Sequence, residues 1–267
     1  MPVRFDDGGE HLHGGLDVIQ RALMSARVAL MLAMFELVGI AGGAQATAAA
    51  DTSAGNVAVA TASSGTSTWK EGVDYERVTP PQPVNTAGGS IEVLEFFGYW
   101  CPHCRAFEPL FETWWKTVPM DVNVVRIPVV WDDTPRTWSH ASLYYTLETL
   151  GRLDLHSAVF DAVDASKKAR QGALESFEDQ QAFAAKNGID AQSFARIYHS
   201  EAVREKVERA ARITRAYRVI ATPMMAVYGT YRCDPAQLQG GFVDLLKLVD
   251  SLTQRVRAER QRNASRC

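Results

Sequence analysis

The residues best suited to chemistry are two cysteines separated by two positions, in the run Cys101-Pro102-His103-Cys104. The chain holds four cysteines in 267 residues. A pair at this spacing therefore arises by chance in roughly one such sequence in twenty. Two thiols this close can exchange electrons with other thiols by forming and breaking a disulfide. Metal binding together with Cys233 and Cys267 is the alternative, although structural zinc sites usually pair two such motifs.

The cysteine pair lies between a predicted strand and a predicted helix. The segment IEVLEFF, residues 91–97, is short, β-branched and aromatic, which predicts a buried strand. The residues that follow the pair, up to Val118, carry an apolar stripe at helical spacing. Cys101 therefore stands where the first turn of a helix leaves backbone N–H groups unpaired and carries positive partial charge. This position predicts a thiolate at Cys101 with a lowered pKa.

The other residues of the motif favour the same thiolate. Pro102 lacks an N–H group that the first helical turn would leave unpaired, and a protonated His103 adds positive charge beside the sulfur. Cys104, one turn further on, is predicted to point inward as the buried partner that closes the disulfide. A dithiol whose reduced form is stabilised in this way gives a disulfide that is easily reduced. The motif thus predicts oxidation of the thiols of other proteins.

Further elements surround this unit. Residues 122–130 predict a second strand, and helical patterns fill residues 134–217. Within that block, Asp190 is predicted to cap a long helix. The remaining signals are a helix start at Thr134-Pro135, a capping box of Ser176 with Asp179, a helix end at Asn187-Gly188, a strand at 224–228, a turn at Gly229-Thr230 and a terminal helix at 242–262.

An apolar segment near the amino terminus predicts export. Residues 28–41 are apolar except for Glu36, which is shorter than the roughly twenty residues that cross a bilayer. They follow Arg27 and precede Ala44-Gln45-Ala46, small residues spaced like a signal-peptidase site. We therefore expect residues 1–46 to be a signal peptide that is cleaved after Ala46. An uncleaved membrane anchor is the alternative.

The start of this signal and the segment after it have their own signatures. The first 23 residues carry more acid than base, whereas a start at Met24 gives the basic beginning typical of a signal peptide. Residues 47–68 are nearly all Ala, Thr, Ser and Gly. This composition cannot bury enough apolar surface to offset the entropy of ordering, so it predicts a disordered linker.

Composition excludes several classes of protein. The chain has 28 Lys and Arg against 31 Asp and Glu, a formal net charge of -3, and no basic block. It therefore lacks the electrostatic signature of a nucleic-acid-binding protein. With 46% hydrophobic and 22% charged residues it is not disordered throughout. Four cysteines are too few for a disulfide scaffold, so cysteine chemistry must be local.

Two segments resemble the DsbA family of periplasmic thiol:disulfide interchange proteins. The run EFFGYWCPHC is similar to the active-site run of that family, and Ala221-Thr222-Pro223 followed by MMAVYGTY resembles its cis-proline loop and next strand. The likeness extends from Tyr75 to Val256 and departs at Cys233, Cys267 and the long leader. It implies an α/β protein with a thioredoxin fold and an inserted helical subdomain. In this division of the chain, the thioredoxin domain has two parts, residues 69–133 and residues 218–262. The helical insertion at 134–217 separates them, and residues 263–267 form a tail.

The resemblance also implies roles for individual residues. Cys101 would be the exposed nucleophile and Cys104 the resolving thiol, in a family that is itself a known example of a strongly depressed cysteine pKa. Pro223, if cis, would place the Thr222 backbone beside the sulfurs, where an extended substrate segment could add as a strand. Glu95 matches the buried acid of the family and could exchange protons with Cys104. An edge-facing structural residue is the alternative for Glu95.

The implied function is oxidation of newly exported proteins in the periplasm by a monomer. Its only redox group would be the Cys101–Cys104 disulfide, with no metal and no other cofactor, reoxidised by a quinone-linked membrane partner of the DsbB type. A disulfide isomerase or reductase would need a dimerisation module or an electron donor, and no such module is visible before Trp69. A chaperone without redox turnover and a glutathione-linked transferase are further alternatives. Cys233 and Cys267 could be free or form a second disulfide.

The other histidines and aromatic residues are interpreted as structural. We expect His140 on the surface of the first inserted helix, and His156 and His199 at solvated helix positions. Tyr99 and Trp100 are candidates for lining an apolar substrate groove. Five more aromatic residues are assigned to the core or the rim of the cleft: Phe96, Phe97, Trp114, Trp115 and Trp138.

Overall fold

The computed structural model describes residues 69–84, 89–131, 134–169 and 172–266. The predicted signal peptide, the predicted linker and Cys267 lie outside the described residues. Within them no helix is both long and apolar enough to cross a membrane. The strands are β1 (Glu76–Arg77), β2 (Ile91–Phe97), β3 (Val122–Pro128), β4 (Met224–Val227) and β5 (Tyr231–Cys233); the α-helices are α1 (Pro102–Trp115), α2 (Pro135–Thr149), α3 (His156–Lys168), α4 (Phe177–Lys186), α5 (Ala191–Tyr198), α6 (Glu201–Ala216) and α7 (Gly241–Ala264).

The strands form a five-stranded sheet in the order β1-β5-β4-β2-β3. Strands β2 and β3 are parallel and joined through α1, while the other neighbouring strands are antiparallel. All seven residues of β2 are buried, because β2 lies between β3 and β4 and both sheet faces are covered. The sequence predicted this strand with the same bounds. Helices α2 to α6 lie in the chain between β3 and β4, within the block that was predicted to be helical.

Two groups of apolar side chains pack on the two faces of the sheet. Ile91 and Val93 pack with residues of α1 and α7, whereas Leu94 and Phe96 pack with residues of the inserted helices. Successive side chains of a strand point to opposite faces, so this alternation separates the two cores. By the same alternation Glu95 belongs to the face that α1 covers. Helices α1 and α7 therefore pack against each other on the same face of the sheet.

Local capping explains where the inserted helices begin and end. The Ser176 side chain accepts a hydrogen bond from the Asp179 backbone N–H at 3.1 Å, and Gly188 has the left-handed φ of +79° expected of a helix end. Asp190 caps α5 as predicted. However, the prediction of one long helix after Asp190 is wrong. The Ser200 side chain accepts from the Val203 N–H at 3.3 Å, which starts α6 and ends α5.

A tight turn joins β4 to β5. Tyr228 and Gly229 have left-handed φ values of +51° and +65°, as the two central residues of a type I′ turn require, and the Thr230 N–H donates to the Val227 carbonyl at 3.0 Å. A Cβ at Gly229 would lie 2.0 Å from the Gln82 carbonyl oxygen, so the position also needs glycine for space. The strand predicted at 224–228 ends one residue earlier because Tyr228 belongs to the turn. The terminal helix α7 contains the predicted span 242–262.

Candidate active site

Cys101 directly precedes α1, and a short turn connects it to the end of β2. Its backbone N–H donates a hydrogen bond to the Gly98 carbonyl at 2.9 Å. A Cβ on Gly98 would lie 2.6 Å from the Trp100 ring, so the turn depends on glycine at this position. Cys104 lies within the first turn of α1, and both cysteines carry free thiols. The structure thus brings the pair to the start of a helix.

The two sulfurs are less different in exposure than the resemblance implied. Cys104 is 1% exposed, as expected of a buried partner, but Cys101 is only 8% exposed. The expectation of an exposed Cys101 is therefore wrong in degree. The reason is the loop before β4: the Thr222 carbonyl oxygen lies 3.2 Å from the Cys101 sulfur and accepts a hydrogen bond from it while the thiol is protonated. A substrate sulfur must approach past this loop.

Hydrogen bonding and burial give the two thiols opposite acidities. The pKa of Cys101 is lowered to about 5, chiefly by a hydrogen bond from the Cys104 side chain, against an opposing effect of burial. The Thr222 side chain and the backbone N–H groups of Cys104 and His103 lower it further. Burial is the main reason why the pKa of Cys104 lies above its ordinary value, and the neighbouring Cys101 sulfur adds to this rise. Near neutral pH the reduced pair is therefore a Cys101 thiolate beside a Cys104 thiol.

The two residues between the cysteines are both exposed. Pro102 is the first residue of α1, where its missing N–H removes no helical hydrogen bond. His103 acts on Cys101 through its backbone N–H. The expected contribution of a protonated His103 ring stays a prediction.

The loop before β4 forms one wall of the site. The Thr222–Pro223 peptide bond is cis, as the resemblance implied, and the Thr222 carbonyl lies beside Cys101. The loop borders a cleft of about 420 Å³ whose other walls include His103 and Phe242. An extended polypeptide crossing this loop would therefore pass directly beside the nucleophilic sulfur.

A second cleft, of about 530 Å³, lies on the side of the inserted helices. Trp100 and Trp131 line it, with their ring centroids 5.8 Å apart. Trp100 also stacks on His140 at 5.8 Å between centroids. The prediction that Tyr99 lines a groove is wrong, because this side chain is 2% exposed and packs against Phe97. Trp100 does border a cleft, beside the cysteine pair.

Glu95 lies in an interior strand, so its interpretation as an edge-facing residue is wrong. It is 1% exposed, and its carboxylate accepts a hydrogen bond from Arg126 Nε at 3.1 Å, across the parallel pair of β2 and β3. Burial raises the pKa of Glu95 to about 7, and the Arg126 guanidinium opposes that rise. Within the described chain its carboxyl group makes no hydrogen bond to either cysteine. Proton exchange between Glu95 and Cys104 stays a prediction.

Arg126 is the centre of a buried network of charged side chains that the sequence does not predict. Its Nη2 donates to Glu108 and to Glu112, each at 2.7 Å, and its guanidinium is 4% exposed. Burial raises the pKa of Glu108 to about 8. The network continues to His156, whose Nε2 lies 3.6 Å from Glu108 Oε2. The members of this network come from β2, β3, α1 and α3, so no local sequence pattern links them.

Two histidines that were expected at the surface are buried. His156 is 2% exposed, and its Nδ1 lies 2.7 Å from the Tyr99 hydroxyl. His140 is 1% exposed, with Nε2 2.9 Å from the Ala173 carbonyl. Burial lowers the pKa of both rings, to about 4 for His140. The burial of His156 could have been predicted from helical spacing, because Phe160 and Val163 follow it on the same buried face of α3. His199 is exposed, as predicted.

The sequence of this chain is similar to those of known thiol:disulfide interchange proteins. Residues 84–140 match the thioredoxin family model. The thiol:disulfide interchange protein DsbA of Bordetella parapertussis is 38% identical over 178 residues, which cover 67% of this chain and 82% of that relative. The chain belongs to the DsbA family. It is therefore a thiol:disulfide oxidoreductase.

Solved structures show the same DsbA architecture. The crystal structure of Pseudomonas aeruginosa DsbA matches with a TM-score of 0.66 at 36% identity, covering 72% of this chain and 97% of that one. The oxidoreductase DsbA from Xylella fastidiosa matches with a TM-score of 0.61 at 27% identity, covering 69% and 96%. The fold is thus an α/β thioredoxin fold with a helical insertion.

Besides the active-site pair, the described residues contain a third cysteine, Cys233, where the chain departs from its resemblance to the DsbA family. Cys233 is 2% exposed on β5, carries a free thiol, and lies 3.6 Å from the Met225 carbonyl oxygen. Its suggested partner Cys267 lies outside the described residues, so a second disulfide stays a prediction. Among the described residues, no group of three or more His, Cys, Asp or Glu side chains could hold a metal ion.

Proposed function

We propose that this oxidoreductase donates its Cys101–Cys104 disulfide to newly exported proteins in the periplasm. The observation that carries the proposal is the opposite acidity of the two sulfurs, with the pKa of Cys101 lowered to about 5 and that of Cys104 raised. Stabilising the reduced pair in this way makes the disulfide a strong oxidant, a behaviour for which the DsbA family is itself a reference case.

The exchange proceeds in two balanced steps. A substrate thiolate attacks Cys101 Sγ, the bond between the two active-site sulfurs breaks, and Cys104 leaves and takes up a proton. A second substrate thiolate then attacks the substrate sulfur of the mixed disulfide and releases Cys101. Two electrons pass from the substrate dithiol to the enzyme. The low pKa of Cys101 speeds the second step, because a thiol of lower pKa is the better leaving group.

The cis-proline loop supports recognition of unfolded chains. We infer that an extended substrate segment lies along Thr222 and Pro223, so that its cysteine meets the sulfur 3.2 Å from the Thr222 carbonyl. Contacts of this kind use backbone groups that all polypeptides share. They suit an enzyme that acts on many exported proteins before these have folded.

Each catalytic cycle leaves the cysteine pair reduced, so the cycle requires an electron acceptor. We propose that a quinone-linked membrane protein of the DsbB type reoxidises the pair. We also propose that the oxidoreductase itself works as a monomer and that the Cys101–Cys104 disulfide is its only redox group. An export signal in residues 1–46 would deliver the protein to the compartment where protein disulfides persist. Membranes containing the partner and quinone should then restore the disulfide, and membranes depleted of quinone should not.

A single-turnover experiment tests the direction of electron flow. The oxidised protein is mixed with a reduced, unfolded secreted protein, and substrate disulfides are counted by thiol labelling. We expect one disulfide per molecule of wild-type enzyme and no transfer by the Cys101→Ser variant. The Cys233→Ala variant is the control and should show full transfer, because Cys233 lies on β5 and is not part of the active-site pair. Transfer by Cys101→Ser would overturn the proposal. Suppression of aggregation by both the wild type and Cys101→Ser, with no disulfide transfer by the wild type, would instead indicate a chaperone.

A further inference from the structure

The carboxyl end of α3 lies against the active-site turn. Arg105 of α1 forms ion pairs with Asp161 at 2.8 Å and with Asp164 at 3.3 Å, both on α3. These contacts fix the end of α3 beside the start of α1. In its last turn, the Lys167 ammonium donates a hydrogen bond to the Trp100 carbonyl. Trp100 directly precedes the nucleophile, so the charge of Lys167 is one peptide unit away from Cys101.

The positive charge of Lys167 counteracts the negative partial charge at the carboxyl end of α3. The carboxyl end of a helix carries negative partial charge, which would repel a thiolate placed near it. Burial lowers the pKa of Lys167 most strongly, Arg136 lowers it further, and the Cys101 sulfur raises it. The ammonium and the sulfur therefore attract each other. Asp164 and Glu175 also act on the Lys167 charge, and Asp164 is already paired with Arg105 and Lys168.

We propose that Lys167 is a positioning residue for disulfide exchange, whose ammonium, held on the Trp100 carbonyl, stabilises the Cys101 thiolate from the side of the helical insertion. The proposal rests on the proposed function for its biological meaning. The helical insertion would then contribute to the chemistry of the cysteine pair as well as to the walls of the cleft. Lys167 acts through electrostatics and exchanges no electrons or protons with the substrate.

Two adjacent lysines allow a matched test. The Lys167→Gln variant removes the charge but keeps an amide that can still donate to the Trp100 carbonyl. The Lys168→Gln variant removes the same charge from the next residue, where Lys168 pairs with Asp164 at 2.8 Å. For each variant, the ionisation of Cys101 is followed by thiolate absorbance, and the equilibrium constant with glutathione is measured. Unfolding of the oxidised forms is compared to confirm intact folding.

The expected effects separate the two lysines. Lys167→Gln should shift Cys101 ionisation to higher pH and weaken oxidation by roughly two- to fivefold, the range of an exposed charge interaction. The shift should shrink as salt is added, because salt screens exposed charges. Lys167→Arg should restore the wild-type titration, and Lys168→Gln should match the wild type. Equal effects of the two Gln variants, or no shift in Lys167→Gln, would overturn the proposal.

The same data distinguish this inference from the proposed function. The titration of Cys101 needs no substrate and no membrane partner, so it reports on Lys167 whatever the direction of electron flow. If wild-type protein failed to oxidise substrates while Lys167→Gln still shifted the titration, only the proposed function would fail. If oxidation of substrates succeeded without that shift, only the role of Lys167 would fail.

Discussion

Reduction of the disulfide is expected to stabilise the protein, by an amount that grows with pH. The pKa of Cys101 is about 5 in the folded reduced protein and 9.0 for an ordinary thiol. Between these values the folded state binds fewer protons than the unfolded state, so the free energy of unfolding rises with pH. Two pH units above the pKa of Cys101 in the folded protein, the ionisation of this thiol contributes at most about 3 kcal/mol to the free energy of unfolding. Solvent screening of the partly accessible thiolate reduces the contribution to about 1–2 kcal/mol.

The sign of this contribution follows from the lowered pKa. Below about pH 5 the thiol is protonated in both states, so the contribution vanishes. Glu95 and Glu108 act in the opposite direction, because their pKa values are raised to about 7 and about 8 and their contribution is lost as pH rises. The two carboxyl groups are present in both redox forms. Their effect therefore largely cancels in the difference between reduced and oxidised protein.

Urea unfolding of both redox forms measures the effect. The gap in unfolding free energy, reduced minus oxidised, should rise between about pH 5 and about pH 8. Measurements stop there because Cys104, whose pKa is raised, contributes oppositely where ordinary thiols ionise. The Cys101→Ser variant lacks the titrating group, so its stability should follow the pH dependence of the oxidised form. A gap that stays constant with pH, or falls, would refute the reasoning.

Three further substitutions have defined outcomes. Arg126→Met leaves the carboxyl groups of Glu95 and Glu108 without their buried cation, so urea melts should show a loss of about 3–5 kcal/mol that grows with pH; a loss independent of pH would contradict the assigned charges. Tyr99→Phe removes the 2.7 Å contact to a buried histidine and should cost about 1–3 kcal/mol in the same melts, whereas an unchanged stability would show that the contact is not a hydrogen bond. Pro223→Thr should slow the release of substrate, so mixed disulfides should accumulate on non-reducing gels; their absence would argue against the role of the loop.

Elements encoded by contiguous residues could be predicted from the sequence. Strand β2 has a continuous apolar and aromatic pattern, and the helix after it begins at a proline, so the cysteine pair was placed correctly at a strand–helix junction. The cis-proline loop followed from its resemblance to the DsbA family. By contrast, β1 has only two residues, Glu76 and Arg77, and becomes a strand only by pairing with β5. No local sequence pattern predicts such a short strand.

Features that depend on tertiary contacts could not be predicted in the same way. Glu95 was expected to be a buried acid, but its partner Arg126 is defined by the register of β2 against β3, which the sequence does not specify. His156 was expected at a solvated position because a lone histidine is usually exposed. Its burial follows from the packing of α3 against Tyr99 and Glu108, residues about fifty positions earlier in the chain. Such contacts become visible only once the helices are placed.

The acidity of Cys101 is the central physical claim, and a titration of the reduced protein tests it most directly. Thiolate absorbance is recorded across pH for the wild type, with Cys101→Ser as the blank. We predict one thiolate that forms with a midpoint of about 5, while Cys104 stays protonated far into the alkaline range. A Cys101 midpoint near the ordinary value of 9.0 would contradict the account, because the reduced pair would then hold no stabilised anion to drive oxidation.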